Sequence, residues 1–363
     1  MSEIKKKILL ITGGTGGHIF PAITLSNILK SNGYSVLIVG DDQLNKYENS
    51  IECEFKIIKS GKTKSLKTVF SLIEGFFQSI SIIKKFKPDL IIGFGSYATF
   101  PLLCAGKFLK VPFYLHESNS IIGKVNKWMS PYAKCIMTNF QELYGINIKN
   151  ANKISVVGMP IRESIIEASK REYKYPDFSN DEKFNIFITG GSGGATFFSN
   201  QILQAIELLD KNIKKKICVY HQARIADIDK VKEFYVKYSI KNEVKIFFDD
   251  MNKKYKNANL VIARSGTGTI SEITTVCIPT IFIPSPNVAN NHQAKNVEVL
   301  KKANACIVQE EKDFNVEEFS HILKDLIENK NNILFNLIDN MKKFSNCKAN
   351  DNILECINKF FDK

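Results

Sequence analysis

The chain has 363 residues, more than a single hydrophobic core usually fills, so we expect two domains. Its formal net charge of +13 comes almost wholly from lysine. Such a charge indicates acidic partners only weakly, and it does not by itself predict a nucleic-acid partner. The eight cysteines form no CxxC pair, which argues against a disulfide framework or a zinc site and favours reduced thiols in a cytosolic protein.

A short apolar run followed by glycines occurs twice, as ILLITGGTGGH at 8–18 and as IFITGGSGGA at 186–195. Each copy predicts a buried parallel strand, a tight glycine turn and then a helix. Such a turn directs backbone N–H groups and a helix N-terminus at one place, which suits an anion. Because His18 in the first copy is Ala195 in the second, we expect one turn to hold a phosphate and the other to carry the chemistry.

The first half of the chain alternates predicted strands and helices. Strands are predicted at 35–39, 88–92, 111–115 and 154–157, and helices at 21–30 and from Pro101 onwards. Asp41 and Asp42 follow the second strand, where a dinucleotide-binding fold carries its ribose acid. The fingerprint fails, however, because Ile19 stands where the third glycine belongs, and no Walker A lysine follows the glycines.

Three apolar segments bear on membrane contact. The run before Gly13 is too short for a signal peptide, so no export is expected. Segment 90–106 lacks charges but is interrupted by glycine and proline, which favours strand, loop and helix over a membrane span. Segment 62–87 is a predicted helix rich in aromatic residues with lysines at both ends, and core packing and contact with an anionic membrane remain equally open for it.

The second half repeats the plan, with strands predicted at 186–189, 217–220, 244–247, 260–263 and 280–283. Strands that alternate with helices predict two doubly wound parallel sheets, with ligands at the carboxyl ends of the strands and both glycine turns facing a central cleft. A Gly/Pro junction before Arg162 and the polar run 171–183 place the domain boundary there.

The candidate site residues suit a nucleotide diphosphate. Segment 192–195 can hold phosphates, Glu272 is expected in the first turn of its helix where it can meet ribose hydroxyls, and the backbone of Phe248 can pair with a base edge. His18, expected to be exposed at the end of its turn, can accept a proton from an attacking hydroxyl. His116 is interpreted as an orienting or core residue.

Metal ligation is not indicated by these motifs. HESN at 116–119 is not HExxH, because position 120 is serine, and no DxD diphosphate motif lies near a loop. Group transfer from a nucleotide donor without a metal is therefore the predicted reaction.

Eight motifs occur together in the order and spacing of one family. They are GGTGGH at 13–18, HESN at 116–119, NKW at 126–128, GMPIR at 158–162, GGSGGA at 190–195, FFDDM at 247–251, RSGTGTISE at 264–272 and NHQ at 291–293. From about residue 5 to its end the chain resembles the MurG family, the bacterial N-acetylglucosaminyltransferases that act on undecaprenyl-diphospho-muramoyl pentapeptide (lipid I).

The resemblance implies an α/β protein of the GT-B glycosyltransferase fold. It also implies UDP-N-acetylglucosamine as donor, lipid I as acceptor, inversion at the anomeric carbon, and no metal or other cofactor. The product would be lipid II in peptidoglycan synthesis, which serves cell shape and division. Attachment to the cytoplasmic face of the bacterial inner membrane would be peripheral, on an anionic surface.

The resemblance also assigns roles residue by residue. His18 corresponds to the proposed base. The donor-binding positions are Thr15, Gly16, Gly17, Asn119, Arg162, Ser192, Gly193, Phe248, Thr267, Glu272 and Gln293. The acceptor-binding positions are Gly95, Ser96, Tyr97 and Asn126. The loop at 93–101 departs from the family, with Ser96 and Phe100 where glycines are usual.

The implied domains are an acceptor- and membrane-associated domain over 1–161 and a UDP-N-acetylglucosamine-binding domain over 162–344. A C-terminal helix within 345–363 would pack back on the first domain. Two alternatives remain: a UDP-N-acetylglucosamine 2-epimerase, which needs no lipid acceptor, and a non-catalytic basic protein that binds membranes through segment 62–87.

Overall fold

Two parallel β-sheets organise the chain, as the alternation of strands and helices predicts. The computed structural model describes residues 5–61, 66–191, 194–286, 288 and 291–362. The chain divides into two compact units, the first formed by 1–161 together with 348–363 and the second by 162–347.

The first unit contains a seven-stranded sheet in the order β3-β2-β1-β4-β5-β6-β7, with every neighbouring pair parallel. Its strands are β1 (Lys7–Ile11), β2 (Ser35–Gly40), β3 (Glu54–Ile57), β4 (Leu90–Gly93), β5 (Phe113–Glu117), β6 (Cys135–Thr138) and β7 (Ile154–Val156). This order reverses direction beside β1, so the loops after β1 and β4 lie at the topological switch point where such sheets bind ligands.

Helices cover both faces of this sheet. They are α1 (Gly16–Ser31), α2 (Leu66–Phe86), α3 (Phe100–Phe108) and α4 (Lys124–Met129), with the C-terminal helix Ala349–Phe361 joining them. Ile353 and Ile357 of that last helix are fully buried in the same cluster as Ile8 and Leu10 of β1. Apolar burial therefore holds the end of the chain on the first unit.

Helix α2 has two apolar faces with different surroundings. Ile83 is buried in the core under the sheet, and Phe76 and Ile80 pack against that core. A second set, which we name the α2 apolar patch, is exposed: Val69 (53%), Phe70 (73%), Ile73 (50%) and Phe77 (63%). Core packing thus accounts for only part of the segment. Lys62 and Lys64, which the sequence interpretation included, lie outside the described residues.

The second unit contains a six-stranded parallel sheet in the order β10-β9-β8-β11-β12-β13. It begins with α5 (Glu163–Ser169), and its strands are β8 (Phe184–Thr189), β9 (Ile217–Gln222), β10 (Lys241–Lys245), β11 (Leu260–Ala263), β12 (Thr280–Phe282) and β13 (Ile307–Val308). Its further helices are α6 (Leu203–Glu207), α7 (Lys211–Lys216), α8 (Ile228–Lys237), α9 (Met251–Asn257), α10 (Thr267–Val276), α11 (His292–Lys302), α12 (Val316–Ile327) and α13 (Ile333–Met341). The C-terminal helix of the first unit is accordingly α14.

Several element boundaries differ from the sequence predictions. Helix α1 begins at Gly16 rather than at residue 21, because the carbonyl of Thr15 already accepts the N–H groups of His18 and Ile19. Pro21 lies inside the helix, where it removes one hydrogen bond. Strand β10 covers Lys241–Lys245 instead of the predicted 244–247. The prediction followed the apolar run, whereas this strand lies at the sheet edge, where polar residues are exposed.

Among the described residues, no helix combines the length and the apolar character needed to cross a bilayer.

Candidate active site

The first glycine turn connects β1 to α1, and its first two glycines have no room for a side chain. Gly13 and Gly14 adopt φ of +148° and +81°. A Cβ at Gly13 would lie 2.6 Å from that of Ala98, and one at Gly14 would lie 2.6 Å from Oγ of Ser96. The turn is therefore in direct contact with the loop after β4. Helix α1 then begins at Gly16, with Thr15 as its N-cap residue.

His18 is the third residue of α1, and its orientation is set by a main-chain carbonyl. Its Nδ1 lies 2.8 Å from the carbonyl oxygen of Phe94. Because a carbonyl only accepts, Nδ1 carries the proton in this bond, and in the neutral imidazole the lone pair then lies on Nε2. The expectation of an exposed histidine is wrong, since His18 is half-buried in the first turn of a packed helix. A fixed tautomer is nonetheless what a general base needs.

The loop at 93–101 contains that carbonyl. Its two departures from the family pattern, Ser96 and Phe100, differ in backbone conformation. Gly95 and Ser96 both have positive φ, +77° and +74°. Ser96 is thus a non-glycine residue in the left-handed region, which favours glycine. Phe100, in contrast, starts α3 with φ of −60° and packs edge-on against Trp128, so its position places no demand for glycine.

The segment 116–126 forms a buried polar scaffold beneath this loop. His116 is fully buried, and its Nε2 donates to the carbonyl of Gly158. Burial, partly offset by that bond, lowers its pKa from 6.5 to about 4. The carboxylate of Glu117 accepts from the main-chain N–H groups of Asn119 and Gly123 and from the Asn126 side chain. His116 is therefore a neutral core residue, one of the two interpretations left open by the sequence.

Asn119 and Asn126 differ in exposure. Asn119 is half-buried, whereas Asn126 is 1% exposed and its amide group also donates to the carbonyl of His116. A Cβ on Gly95 would lie 3.3 Å from Nδ2 of Asn126. Asn126 thus lies directly under the predicted acceptor loop, and its role in acceptor binding stays a prediction.

The second glycine turn follows β8 and is stabilised by neutral groups. A Cβ at Gly190 would lie 2.5 Å from the main chain of Gly194, so a side chain cannot fit there. Thr189 donates to the side-chain oxygen of Gln222, whose amide nitrogen donates to the carbonyl of Gly191. Ser192 and Gly193, predicted to bind the donor, lie outside the described residues.

Arg162 and Glu272, both predicted to bind the donor, form an ion pair in the second unit. Nη2 of Arg162 lies 2.7 Å from Oε1 of Glu272. Burial lowers the pKa of Arg162, but the Glu272 carboxylate more than compensates and the pKa is raised. The expected position of Glu272 is wrong, since α10 begins at Thr267 and Glu272 is its sixth residue, beyond the first turn. Compensation of the helix dipole therefore does not account for this carboxylate.

The remaining predicted donor residues also lie in the second unit. Phe248 is 1% exposed, and its ring packs edge-on against Phe187 at 5.5 Å. Thr267 opens α10, and Gln293, in the first turn of α11, accepts the main-chain N–H of Ser285 with its side-chain oxygen. Thr15, Gly16 and Gly17, in contrast, belong to the first unit.

Sequence reasoning missed three groups that the structure places beside these residues. Asp41 was weighed only as a ribose acid, yet it accepts the N–H of Gly14. Gln222, at the end of β9, stabilises the second turn. Tyr255 is fully buried, and the carboxylate of Glu272 is among the causes of its raised pKa, after burial itself. For Asp41 and Gln222, the signal available was their position at the end of the strand neighbouring each glycine turn.

Comparisons with known proteins agree with this architecture. Residues 8–138 match the glycosyltransferase family 28 N-terminal domain, and residues 185–353 match the glycosyltransferase family 28 C-terminal domain. A protein of Rickettsia akari named UDP-N-acetylglucosamine--N-acetylmuramyl-(pentapeptide) pyrophosphoryl-undecaprenol N-acetylglucosamine transferase is 37% identical over 348 residues, covering 89% of this chain and 91% of that protein.

Solved structures share the fold. Acinetobacter baumannii MurG superimposes with a TM-score of 0.78 at 22% identity, covering 98% of this chain and 99% of that one. A UDP-N-acetylglucosamine 2-epimerase, described as putative, from Listeria monocytogenes gives a TM-score of 0.66 at 16% identity, covering 99% and 97%. The two family matches and the 37% identical relative establish that the chain belongs to glycosyltransferase family 28, among its N-acetylglucosamine transferases of the MurG type.

Proposed function

We propose that the protein transfers N-acetylglucosamine from UDP-N-acetylglucosamine to the 4-hydroxyl of the muramoyl residue of undecaprenyl-diphospho-muramoyl pentapeptide. The product is lipid II of peptidoglycan synthesis, and the transfer inverts the anomeric carbon without a metal. The relative from Rickettsia akari supports the two substrates. The observation that carries the chemistry is the 2.8 Å hydrogen bond from Nδ1 of His18 to the Phe94 carbonyl, which leaves Nε2 as the basic atom.

In the proposed reaction the muramoyl 4-hydroxyl attacks C1 of the donor sugar while the bond from C1 to UDP breaks. Nε2 of His18 takes the hydroxyl proton. Negative charge grows on the departing diphosphate, where Arg162 and the turn containing Ser192 stabilise it. Arg162 donates through Nε and Nη2 to Glu272, and Nη1 remains as a further donor group of its guanidinium.

We assign the two substrates to different parts of the chain. Residues 1–161, with the helix in 345–363, would bind the acceptor and the membrane, and residues 162–344 would bind the nucleotide sugar. Tyr97 and Gly95 support the first assignment, since they lie on the loop that touches the His18 turn. Glu272 and Phe248, predicted to bind the ribose and the base, lie within 162–344 and support the second assignment.

Attachment to the cytoplasmic face of the inner membrane would use the α2 apolar patch. Phe70, Ile73 and Phe77 recur at spacings of three and four residues, so they share one face of the helix. Lys84 and Lys85 follow in its last turn. An exposed apolar face next to basic groups is the arrangement by which interfacial helices bind anionic lipid.

The test is transfer of labelled N-acetylglucosamine from UDP to a lipid I analogue. Labelled lipid product is the expected result. Conversion of the nucleotide sugar in the absence of acceptor would instead identify an epimerase. If neither reaction occurs and calorimetry detects no UDP binding, the non-catalytic membrane-binding alternative replaces the proposal.

A further inference from the structure

Asp41 is a buried carboxylate that joins two loops of the first unit. It follows β2 and is 1% exposed. Its Oδ1 accepts the main-chain N–H groups of Gly14 and Gln43, both at 3.2 Å, and its Oδ2 accepts the hydroxyl of Tyr97 at 2.9 Å. One side chain therefore connects the first glycine turn to the loop that carries the predicted acceptor residues.

The second half of the chain lacks such a group at the matching place. In the first sheet Ile11 pairs with Val39, so two residues further on Asp41 lies level with Gly13. In the second sheet Ile188 pairs with His221, which puts Ala223 level with Gly190. The duplicated turns thus differ in their neighbouring strand as well as at His18, since the position level with the first glycine is Asp41 in the imidazole-bearing copy and Ala223 in the other.

We propose that Asp41 is a positioning residue for the acceptor, which holds Tyr97 and the 93–101 loop against the turn that presents His18. This inference deepens the proposed function and depends on it. Two side-chain hydrogen bonds help to attach the loop: Tyr97 donates to Asp41, and His18 donates to the Phe94 carbonyl. Loss of the Asp41 bond frees the Tyr97 side chain, while Phe94 stays bonded to His18, the predicted base.

The same contacts also separate the roles of the two turns. The N–H of Gly14 is already donated to Asp41, and a fixed negative charge repels a second anion. A phosphate is therefore better accommodated by the other turn, whose neighbouring side chain Gln222 is neutral. Burial and the bond to Asp41 both raise the pKa of Tyr97, so its hydroxyl stays protonated and able to donate.

The test compares Asp41→Asn, Tyr97→Phe and the double variant in full-length protein. Each single variant should raise the KM for the lipid I analogue about 10-fold, the usual effect of losing one hydrogen bond to a charged group. Calorimetric UDP affinity should stay within about 2-fold, because Glu272 and Phe248, assigned to the ribose and the base of UDP, lie in the other unit. The double variant should be no worse than Tyr97→Phe alone, since Asp41 acts through that hydroxyl.

A matched control is Glu48→Gln, which removes the same charge from an exposed position on the 3-10 segment that follows Asp41. It should leave the acceptor KM unchanged. If Asp41→Asn also leaves the acceptor KM within 2-fold of wild type, or if the two single effects multiply in the double variant, Asp41 does not act through Tyr97 and the inference fails.

Hydrogen exchange gives a readout that needs no substrate. Amides in 93–101 should exchange faster in Asp41→Asn and in Tyr97→Phe than in wild type, while those of β8 remain unchanged. Unchanged exchange in the loop would overturn the inference even if the enzyme is active. Absence of transfer by the wild type would instead overturn the proposed function. Tyr97→Phe decides the question if Asp41→Asn fails to fold.

Discussion

Arg162 and Glu272 are joined by two hydrogen bonds to the same carboxylate oxygen, from Nε at 3.2 Å and from Nη2 at 2.7 Å. The two side chains are 40% and 19% exposed, so the pair is accessible from solvent. In a uridine diphosphate the ribose hydroxyls and the phosphates are a few bonds apart. A carboxylate that can accept hydrogen bonds from the ribose hydroxyls therefore lies beside a guanidinium that can bind the phosphates, which is an arrangement that suits a UDP site.

Replacing Glu272 with Gln should weaken UDP binding about 10- to 100-fold, because hydrogen bonds from the ribose hydroxyls to a charged acceptor become bonds to a neutral one. Isothermal titration calorimetry with UDP measures this change directly. The matched ligand is 2′,3′-dideoxy-UDP, which lacks both hydroxyls. Its affinity should be nearly the same for wild type and Glu272→Gln. An equal loss for both nucleotides would mean that Glu272 acts on UDP only through Arg162.

Most of the strands could be predicted because the apolar runs are buried on both faces of each sheet. Ile8 to Ile11 and Ile186 to Ile188 are fully buried, and these are the runs that identified β1 and β8. Strands β3, β6 and β13 were missed; each is short, and β13 pairs only through Ile307 and Val308 at the edge of its sheet. Two residues carry no periodicity.

The site was predictable where a motif fixes the backbone and less so where distant residues meet. The positions of Gly13 and Gly14 follow from a turn that only glycine can adopt. The Asp41–Tyr97 contact joins residues 56 positions apart and leaves no local pattern. The predicted place of Glu272 in the first turn of α10 was wrong, because the helix begins at Thr267. Neither a proline nor an acidic residue in the first turn marks that boundary in the sequence.

Replacing His18 with Ala should reduce turnover about 10²- to 10⁴-fold, the range for loss of a general base. UDP affinity should change less than about 2-fold, because Glu272 and Phe248, assigned to the ribose and the base of UDP, lie in the second unit. Steady-state transfer and calorimetry measure the two quantities. Activity within a few-fold of wild type would assign the base to another group.

Replacing Phe70 and Phe77 with Gln should weaken binding to phosphatidylglycerol vesicles at least about 10-fold, because burial of each aromatic ring contributes about 1.5–3 kcal/mol. Vesicle co-sedimentation measures the change. Val236 of α8 offers a control, since it is equally exposed, at 73%, but lies in the second unit. Val236→Gln should bind vesicles like the wild type. If the variant with both phenylalanines replaced sediments like Val236→Gln and the wild type, the α2 apolar patch is not the membrane contact.

Mild acid should destabilise the first unit through His116. Burial lowers the pKa of this histidine from 6.5 to about 4. As pH falls below the unfolded value, the unfolded chain binds a proton that the folded chain does not, so the free energy of unfolding decreases. The slope is at most about 1.4 kcal/mol per pH unit between pH ~6.5 and ~4.

Urea unfolding at pH ~7 and pH ~5, followed by tryptophan fluorescence, tests this dependence. Trp128 is the only tryptophan in the sequence and belongs to the first unit, so its signal reports on the part of the chain that contains His116. In His116→Gln the amide can still donate to the Gly158 carbonyl but does not titrate. The variant should be less stable at pH ~7, because its packing is imperfect, yet lose less stability on acidification. An unchanged pH slope would mean that other groups cause the acid sensitivity.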